Sequence, residues 1–317
     1  MDTDESIVEI MNSELDIVAL GHILKETIRF PEKEISPVLG SPAAYSSLVM
    51  AAQGLRVGIV TYYGGEMDDI VAELNVLDKQ GILPNSCTTT NLLVYREDGT
   101  KYVEYIESAP SISFDKIPST YLKSDFFKIC PMNYEVELDL VEELQKQGKT
   151  IFVDLGGYGG ATCDVRHSIQ TQRGNEVIGR LCKAGTIIKA SKEDLASIMP
   201  EMTAEEAANY LTQQGAPNVV VTLGGDGAMY RTGQESFAYV KPMQAISESR
   251  DGLLDFTGAG DSFGGGFMVS YVKNRDMRAA VVNGNTTASL VIQRSGGCTF
   301  DRMPNKERVE ERTRTGK

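Results

Sequence analysis

DFTGAGDSFGGGFMVSYV, residues 255–272, decides how this chain is read. Gly258, Ala259 and Gly260 stand immediately before a carboxylate, Asp261, and an apolar stretch with the length of a helix follows. A glycine-rich turn entering a helix leaves several N–H groups unpaired at the positive end of the helix dipole, which makes an anion site. A carboxylate in the first turn is also an ordinary cap. Capping alone asks neither for Gly-Ala-Gly in front nor for Gly264, Gly265 and Gly266 behind, each of which costs ~1 kcal/mol against alanine inside a helix. The stretch is therefore read as an anion site with a base, Asp261, beside it.

Further upstream lies a second glycine cluster. VVVTLGGDGAMY (219–230) is a β-branched apolar run that enters Gly224, Gly225 and Gly227. At the carboxyl end of a parallel strand such glycines let backbone approach a phosphate or ribose closely; the same string also suits a tight turn into a hairpin. Other nucleotide motifs are excluded by spacing. No GxxxxGK followed by Ser or Thr occurs, and the residue three after Gly260 is Phe263, which breaks a GxGxxG fingerprint. No nucleophile elbow or Ser/His/Asp set is present.

Further outward, buried-strand runs alternate with helical periodicity. Strands are expected at 16–20, 56–64, 126–130, 150–154, 186–190 and 218–223. Helices are expected at 43–54, 70–81, 135–147, 174–184, 192–198, 203–214, 261–273 and 277–293. Repeated βα units imply a mostly parallel sheet with helices on both faces. The alternation stops at TTTNLLVYREDGTKYVEYI (88–106), where two β-prone runs flank Asp98-Gly99, a hairpin signal. This predicts a small antiparallel flap from about 26–38 and 88–112 on one α/β domain spanning 1–317. GGYGG (156–160) reads as a flexible surface loop, with a loop over the acceptor as the alternative. Arg96 and Lys101 read as exposed flap charges, with contact to a phosphorylated substrate as the alternative, and His22 as a packed or solvated imidazole, with contact to substrate as the alternative.

Composition narrows the partners. With 44 acidic and 31 basic residues the formal charge is −13, which excludes nucleic acid as the main partner, because phosphate backbones demand clustered Lys and Arg. The mixed-charge tail, 306–317, reads as a frayed terminus. Five scattered cysteines argue against a disulfide framework, and two histidines against a His-rich metal centre. The acidic start, 1–16, does not read as a signal peptide, and no run of ~18 apolar residues is present to span a membrane. A cytoplasmic enzyme is expected.

DFTGAGDSF resembles the D-T-x-G-A-G-D pattern of the PfkB/ribokinase family of carbohydrate kinases, and weaker likenesses extend over nearly the whole chain in matching order. IVALGHILKE (17–26) is similar to the first strand and substrate loop, and LGSPAAYSS (39–47) to the Gly-Gly region. KASKEDL (189–195) is similar to the N-x-x-E strand end, and TLGGDGA (222–228) to the nucleotide loop. The resemblance implies a ribokinase-like three-layer sandwich with a β lid. It implies transfer of the γ-phosphate of ATP to a hydroxyl, with Asp261 as general base and Gly258, Ala259 and Gly260 as anion hole. Thr222, Gly224, Gly225, Gly227 and Asn285 would line the nucleotide, with Ser191 and Asp194 near Mg²⁺ and the phosphates. Asp255 and Thr257, with Arg294 and Gly296, would frame a monovalent-cation (K⁺) site. Glu26, Gly40, Ser41 and Tyr45 would face the acceptor.

The departures from the pattern fall in the acceptor region. Leu24 and Glu26 replace Asn and Asp, Ser41 replaces the second Gly, and Tyr45 replaces Asn; Phe256 and Ser191 also differ. The acceptor is thus expected to be a sugar, polyol or nucleoside other than plain ribose. A non-catalytic sugar- or nucleotide-binding relative is the alternative reading, and exposed flap edges suggest a homodimer.

Overall fold

A computed structural model describes residues 14–97, 100–164, 171–248, 252 and 254–316. Ile17, Val18, Ala19 and Leu20 form strand β1 (Ile17–Leu20), and none of the four is exposed. Alternate side chains leave a strand on opposite faces. Ile17 and Ala19 accordingly join one core while Val18 and Leu20 join the other. The same division repeats along β8 (Phe126–Ile129), β9 (Thr150–Asp154), β10 (Ile187–Ser191) and β11 (Asn218–Thr222). A continuous apolar run is what a strand covered on both faces requires.

The remaining strands are β2 (Leu24–Arg29), β3 (Glu34–Gly40), β4 (Val57–Tyr63), β5 (Ile82–Pro84), β6 (Thr89–Tyr95), β7 (Lys101–Glu107), β12 (Ala228–Thr232) and β13 (Ala238–Val240). In chain order the helices are α1 (Pro42–Ala52), α2 (Asp68–Val71), α3 (Leu138–Lys146), α4 (Thr171–Ala184), α5 (Lys192–Ile198), α6 (Ala204–Gln213), α7 (Ala259–Asn274), α8 (Met277–Val291) and α9 (Lys306–Thr315). The large sheet has nine strands in the order β13-β12-β11-β10-β9-β8-β1-β4-β5. Its pairs are parallel except β11·β12 and β12·β13. Side chains of α1, α7 and α8 pack in one core; those of α3, α4 and α6 pack in the other.

The second sheet has the order β3-β2-β6-β7. Its outer pairs are antiparallel, as expected of the flap, whereas its central pair β2·β6 is parallel, so the sheet is mixed. The parallel pair arises because β2 and β6 each continue outward from strand ends on the same edge of the large sheet. Asp98 and Gly99 lie outside the described residues, as do residues 1–13 of the acidic start; Arg96 N donates to Thr100 O across the turn.

Two expectations are corrected. The helix expected at 70–81 is one α-turn, α2, followed by a 3-10 segment to Val76. Beyond it the chain is drawn to the edge of β4: Asp78 N donates to Val57 O, and Tyr121 Oη donates to Asp78. These tertiary bonds outweigh the helical periodicity. The tail expected to fray forms α9 instead, capped by Asn305, whose side chain accepts from Arg308 N. Val309 and Arg312 of α9 are buried.

Candidate functional site

At the carboxyl ends of the parallel strands, beneath the small sheet, lies a cleft of about 340 Å³. Most of the residues singled out in the sequence line it: Glu26, Ser41, Tyr45, Ser191, Asp194, Thr222, Gly224, Gly227, Thr257, Gly258, Ala259, Gly260, Asp261 and Asn285. Gly40, Gly225, Asp255, Arg294 and Gly296 do not. Gly40 lies just behind the lining, where a β-carbon would sit 2.6 Å from Glu26 Oε2.

Helix α7 starts at this cleft. Gly258 adopts the left-handed conformation (φ 77°), and no side chain caps the helix. A β-carbon at Gly258 would lie 2.4 Å from the Tyr45 ring, so both the backbone angle and the neighbour demand glycine. Ala259 N donates to Phe256 O at 3.1 Å, and no side chain accepts from the other first-turn N–H groups, the condition for holding an external anion. Ser46 Oγ donates to Asp261 O at 3.0 Å and ties the turn to α1.

The electrostatics around Asp261 come from Lys189, Asp154 and Lys128, to which sequence reading gave no role, and from Lys101, which it read as a flap charge. Lys189 on β10 pairs with Asp154 on β9 at 3.0 Å, both nearly fully buried. Burial alone favours a neutral amine, but Asp154, with Asp194 and Asp261 behind it, holds Lys189 charged. Lys128 on β8 is fully buried over the Phe152 ring, and its ammonium has no hydrogen-bond partner. Lys101 on β7 reaches down from the small sheet and pairs with Glu193 at 3.5 Å. Burial, then the Asp154 carboxylate, pushes Asp261 up to about 6, against the pull of Lys189, Lys128 and Lys101. Only placement in three dimensions brings these lysines together; the one local signal was a lysine inside an otherwise apolar strand (FFKI, IIKAS).

On the acceptor side Glu26 is buried and accepts from Asn91 Nδ2 at 3.1 Å. Burial, reinforced by the Asp261 carboxylate, pushes it up to about 7. Leu93, Val103, Pro131 and Met132 form the apolar wall, with Tyr95 and Lys101 at its edge. Lys101 is exposed, as expected of a flap charge, and also lines the cleft, while Arg96 stacks on Tyr102. The GGYGG segment is packed: Tyr158 is buried, and a β-carbon on Gly157 would meet Pro131 O at 2.2 Å. His22 is buried, its ring bonded to Pro110 O and the Thr89 hydroxyl, which leaves it nothing to offer a ligand.

At the donor end, Ser191 and Asp194 form a capping box on α5, and Asp194 Oδ1 also accepts from Ala161 N. Asn285 Nδ2 holds Val240 O and Lys241 O. Gly227 (φ 92°) permits the β11–β12 turn, where a β-carbon would strike Val240 O, whereas Gly224 and Gly225 face open space. Among the described residues no group of three or more His, Cys, Asp or Glu forms a metal cage. Asp194 and Glu193 at the lining suit a divalent ion that arrives on phosphates and keeps its waters.

The expected monovalent-cation frame is built differently. Arg294 is engaged by Glu248 and Asp301 O, and Gly296 faces open space. The carbonyls of Asp255 and Thr257 instead accept from Arg302 Nη2 at 3.3 and 3.2 Å. The frame does not fit an exchangeable ion, because a buried guanidinium takes its oxygens.

Comparison with known proteins agrees with this geometry. A family model described as pfkB family carbohydrate kinase matches residues 139–304. A cytidine kinase of Thermococcus kodakarensis is 29% identical over 287 residues, covering 89% of this chain and 98% of the relative. Among solved structures, a fructokinase double mutant from Vibrio cholerae bound to fructose, ADP and potassium ion superposes with a TM-score of 0.75 at 19% identity, covering 95% of this chain and 99% of the other. Arabidopsis thaliana ribokinase complexed with ribose and ATP superposes with a TM-score of 0.72 at 16% identity, covering 95% and 99%. The fold is shared along its length and the family model spans just over half of the chain, so the protein belongs to the pfkB family of carbohydrate kinases.

Proposed function

We propose that this kinase transfers the γ-phosphate of ATP to a hydroxyl of a nucleoside or closely related sugar, with Asp261 as the general base. The observation that carries the reading is a half-buried carboxylate in the first turn of an uncapped helix at the floor of the cleft, pushed up to about 6 by desolvation and the Asp154 carboxylate. A base poised just below neutrality is ionised at pH 7 and still takes a proton readily. The N–H groups at Gly258 and Gly260 neutralise charge on the transferring phosphoryl, joined by that of Ala259 once it is released from Phe256 O, and Lys189 adds a fixed positive charge beneath them. Thr222, Gly224, Gly225, Gly227 and Asn285 border the nucleotide. Ser191 and Asp194 would border a Mg²⁺ ion arriving on the phosphates, which would supply charge neutralisation there.

A nucleoside is favoured on two grounds. The wall of Leu93, Val103, Pro131 and Met132 suits the apolar face of a base better than a sugar hydroxylated all round. One relative alike over nearly its whole length is a cytidine kinase. Glu26 and Lys101 are placed to hold ribose hydroxyls, while Gly40, Ser41 and Tyr45 shape the end of the pocket beside Asp261. Closure of the small sheet excludes water, the competing acceptor.

The test is ADP release with Mg²⁺-ATP over nucleosides, pentoses, hexoses and inositols, with Asp261→Asn alongside. Turnover of one acceptor class, reduced about 10²–10⁴-fold in the variant with little change in KM, is the expected result. Tight acceptor binding without turnover would make the protein a non-catalytic relative. A homodimer also follows from the uncovered edges β3 and β7 and from Ile106, 67% exposed on β7; sedimentation at the monomer mass of 34.6 kDa would reject it.

A further inference from the structure

Arg302 is 3% exposed and comes from the last 3-10 turn before α9, yet its guanidinium lies against the loop that leads into α7. Its contacts are complete. Nε donates to Val291 O at 3.3 Å; Nη1 donates to Tyr45 Oη at 3.0 Å and Gly297 O at 2.8 Å; Nη2 donates to Asp255 O and Thr257 O at 3.3 and 3.2 Å. Five N–H groups are all that a guanidinium has, and each finds an oxygen. The Asp255 carboxylate lies 3.7 Å away and balances the charge. Four of the five acceptors are main-chain carbonyls, one of them in the last turn of α8, where the helix dipole favours a cation.

A ring of inward carbonyls, one hydroxyl and one carboxylate is a cation site, and here the cation is covalently attached. We propose that Arg302 is a tethered replacement for an exchangeable monovalent ion, holding residues 255–258 so that the first turn of α7 presents its N–H groups without K⁺ or Na⁺. The inference rests on the kinase reading for what the turn does, but the identity of the cation does not depend on it. The linkage to the reacting end is short. Thr257 precedes Gly258, the Tyr45 ring packs on Gly258, and Tyr45 Oη is itself held by Arg302. Arg302 is thus a positioning residue that acts through Thr257, Gly258 and Tyr45, since it is not among the residues lining the cleft.

The test compares wild type, Arg302→Ala and Arg302→Met in buffers whose cation is K⁺, Na⁺ or tetramethylammonium at matched ionic strength. Two readouts are taken, phosphoryl transfer and thermal unfolding. Wild-type turnover and melting temperature are expected to be the same in all three buffers. The variants are expected to lose about 10²-fold in kcat, as a misplaced reacting group does. They are expected to regain rate and melting temperature with K⁺ or free guanidinium but not with tetramethylammonium, since a bound ion stabilises by mass action. Rescue by an ion is a response that mere loss of packing cannot give. Activation or stabilisation of the wild type specifically by K⁺ would overturn the proposal, and so would a folded variant indifferent to both K⁺ and guanidinium. If neither variant folds, the wild-type comparison decides. If no acceptor is phosphorylated, the kinase reading fails while the melting arms still decide the cation.

Discussion

Asp261 sits between a carboxylate that raises its pKa and three ammonium groups that lower it, so its titration reports on each of them. The acid limb of kcat/KM is expected near pH 6, with activity rising as pH rises because the base acts when ionised. Lys128 offers a separate handle: fully buried, without a hydrogen-bond partner and stacked on Phe152, it holds positive charge near Asp261 with no compensating pair of its own. Lys128→Met keeps the length and removes the charge. It is expected to move the acid limb upward by up to about one pH unit, and to leave stability unchanged or raise it by about 1 kcal/mol, because an unpaired buried ammonium is replaced by an apolar chain. A limb that stays in place would mean that Asp261 does not feel Lys128. Glu26 makes a prediction about stability instead. Its pKa is near 7 in the folded chain against an ordinary 4.5, so the folded state binds the proton more tightly. The stabilisation is full below pH 4.5 and is lost as pH rises through 7, amounting to at most ~3 kcal/mol. Glu26→Gln should therefore melt higher than wild type at pH 8, with the difference vanishing near pH 4; equal melting at both would remove Glu26 from the list of strained groups.

Among the elements, α7 was the one most legible in the sequence. Gly-Ala-Gly-Asp before an apolar run described a helix N-terminus left open for an anion, and the structure shows a left-handed Gly258 with no cap. What the string did not contain was the neighbour that makes the glycine necessary, the Tyr45 ring. Gly258→Ala tests both constraints at once. It is expected to destabilise by about 1–3 kcal/mol from backbone strain and crowding, and, on the proposed role of this turn as the phosphate site, to reduce turnover more than acceptor binding. A variant with wild-type kcat would show that this turn is not the phosphate site. Legibility failed where a tertiary contact competed with a local pattern. Residues 70–81 carry helical periodicity, but Val57 and Tyr121 capture Asp78. Lys101 is the exposed flap charge its hairpin suggested, but strand alternation does not reveal that it also lines the cleft. Arg302 was invisible because its five acceptors come from four separate segments of the chain.

At the scale of the whole molecule, the two sheets depend on each other through the order of the chain. The small sheet is assembled from 24–40, inserted between β1 and α1, and from 89–107, inserted between β5 and β8. Neither piece can form the sheet alone. Both are tied to the rest of the chain: the first by Cys298 N to Leu39 O at 3.0 Å, the second by Tyr95 Oη with Thr257 Oγ1 at 3.2 Å, Tyr105 N to Asp164 at 3.2 Å and Tyr105 Oη to Thr162 O at 3.1 Å. The large sheet is the common wall of both main cores, so loss of one core uncovers the strands of the other. These connections support one folding unit with an inserted lid. The chain has 13 tyrosines and no tryptophan, so tyrosine fluorescence reports on the small sheet, where Tyr95, Tyr102 and Tyr105 lie, as well as on the cores, while far-UV circular dichroism follows the helices. The two probes are expected to give one coincident urea transition, the mark of all-or-none unfolding. The small sheet should still open locally below that threshold, because its own core holds only Leu24, Ile28, Leu93, Val103, Tyr105 and Met132. Amide exchange in β6 and β7 should therefore run faster than in β8 to β11, and should slow when nucleotide and acceptor are added together, since the lid then closes on an occupied cleft. A first transition in tyrosine fluorescence alone would make the small sheet an independent unit, and exchange unaffected by ligands would deny it the part of a lid.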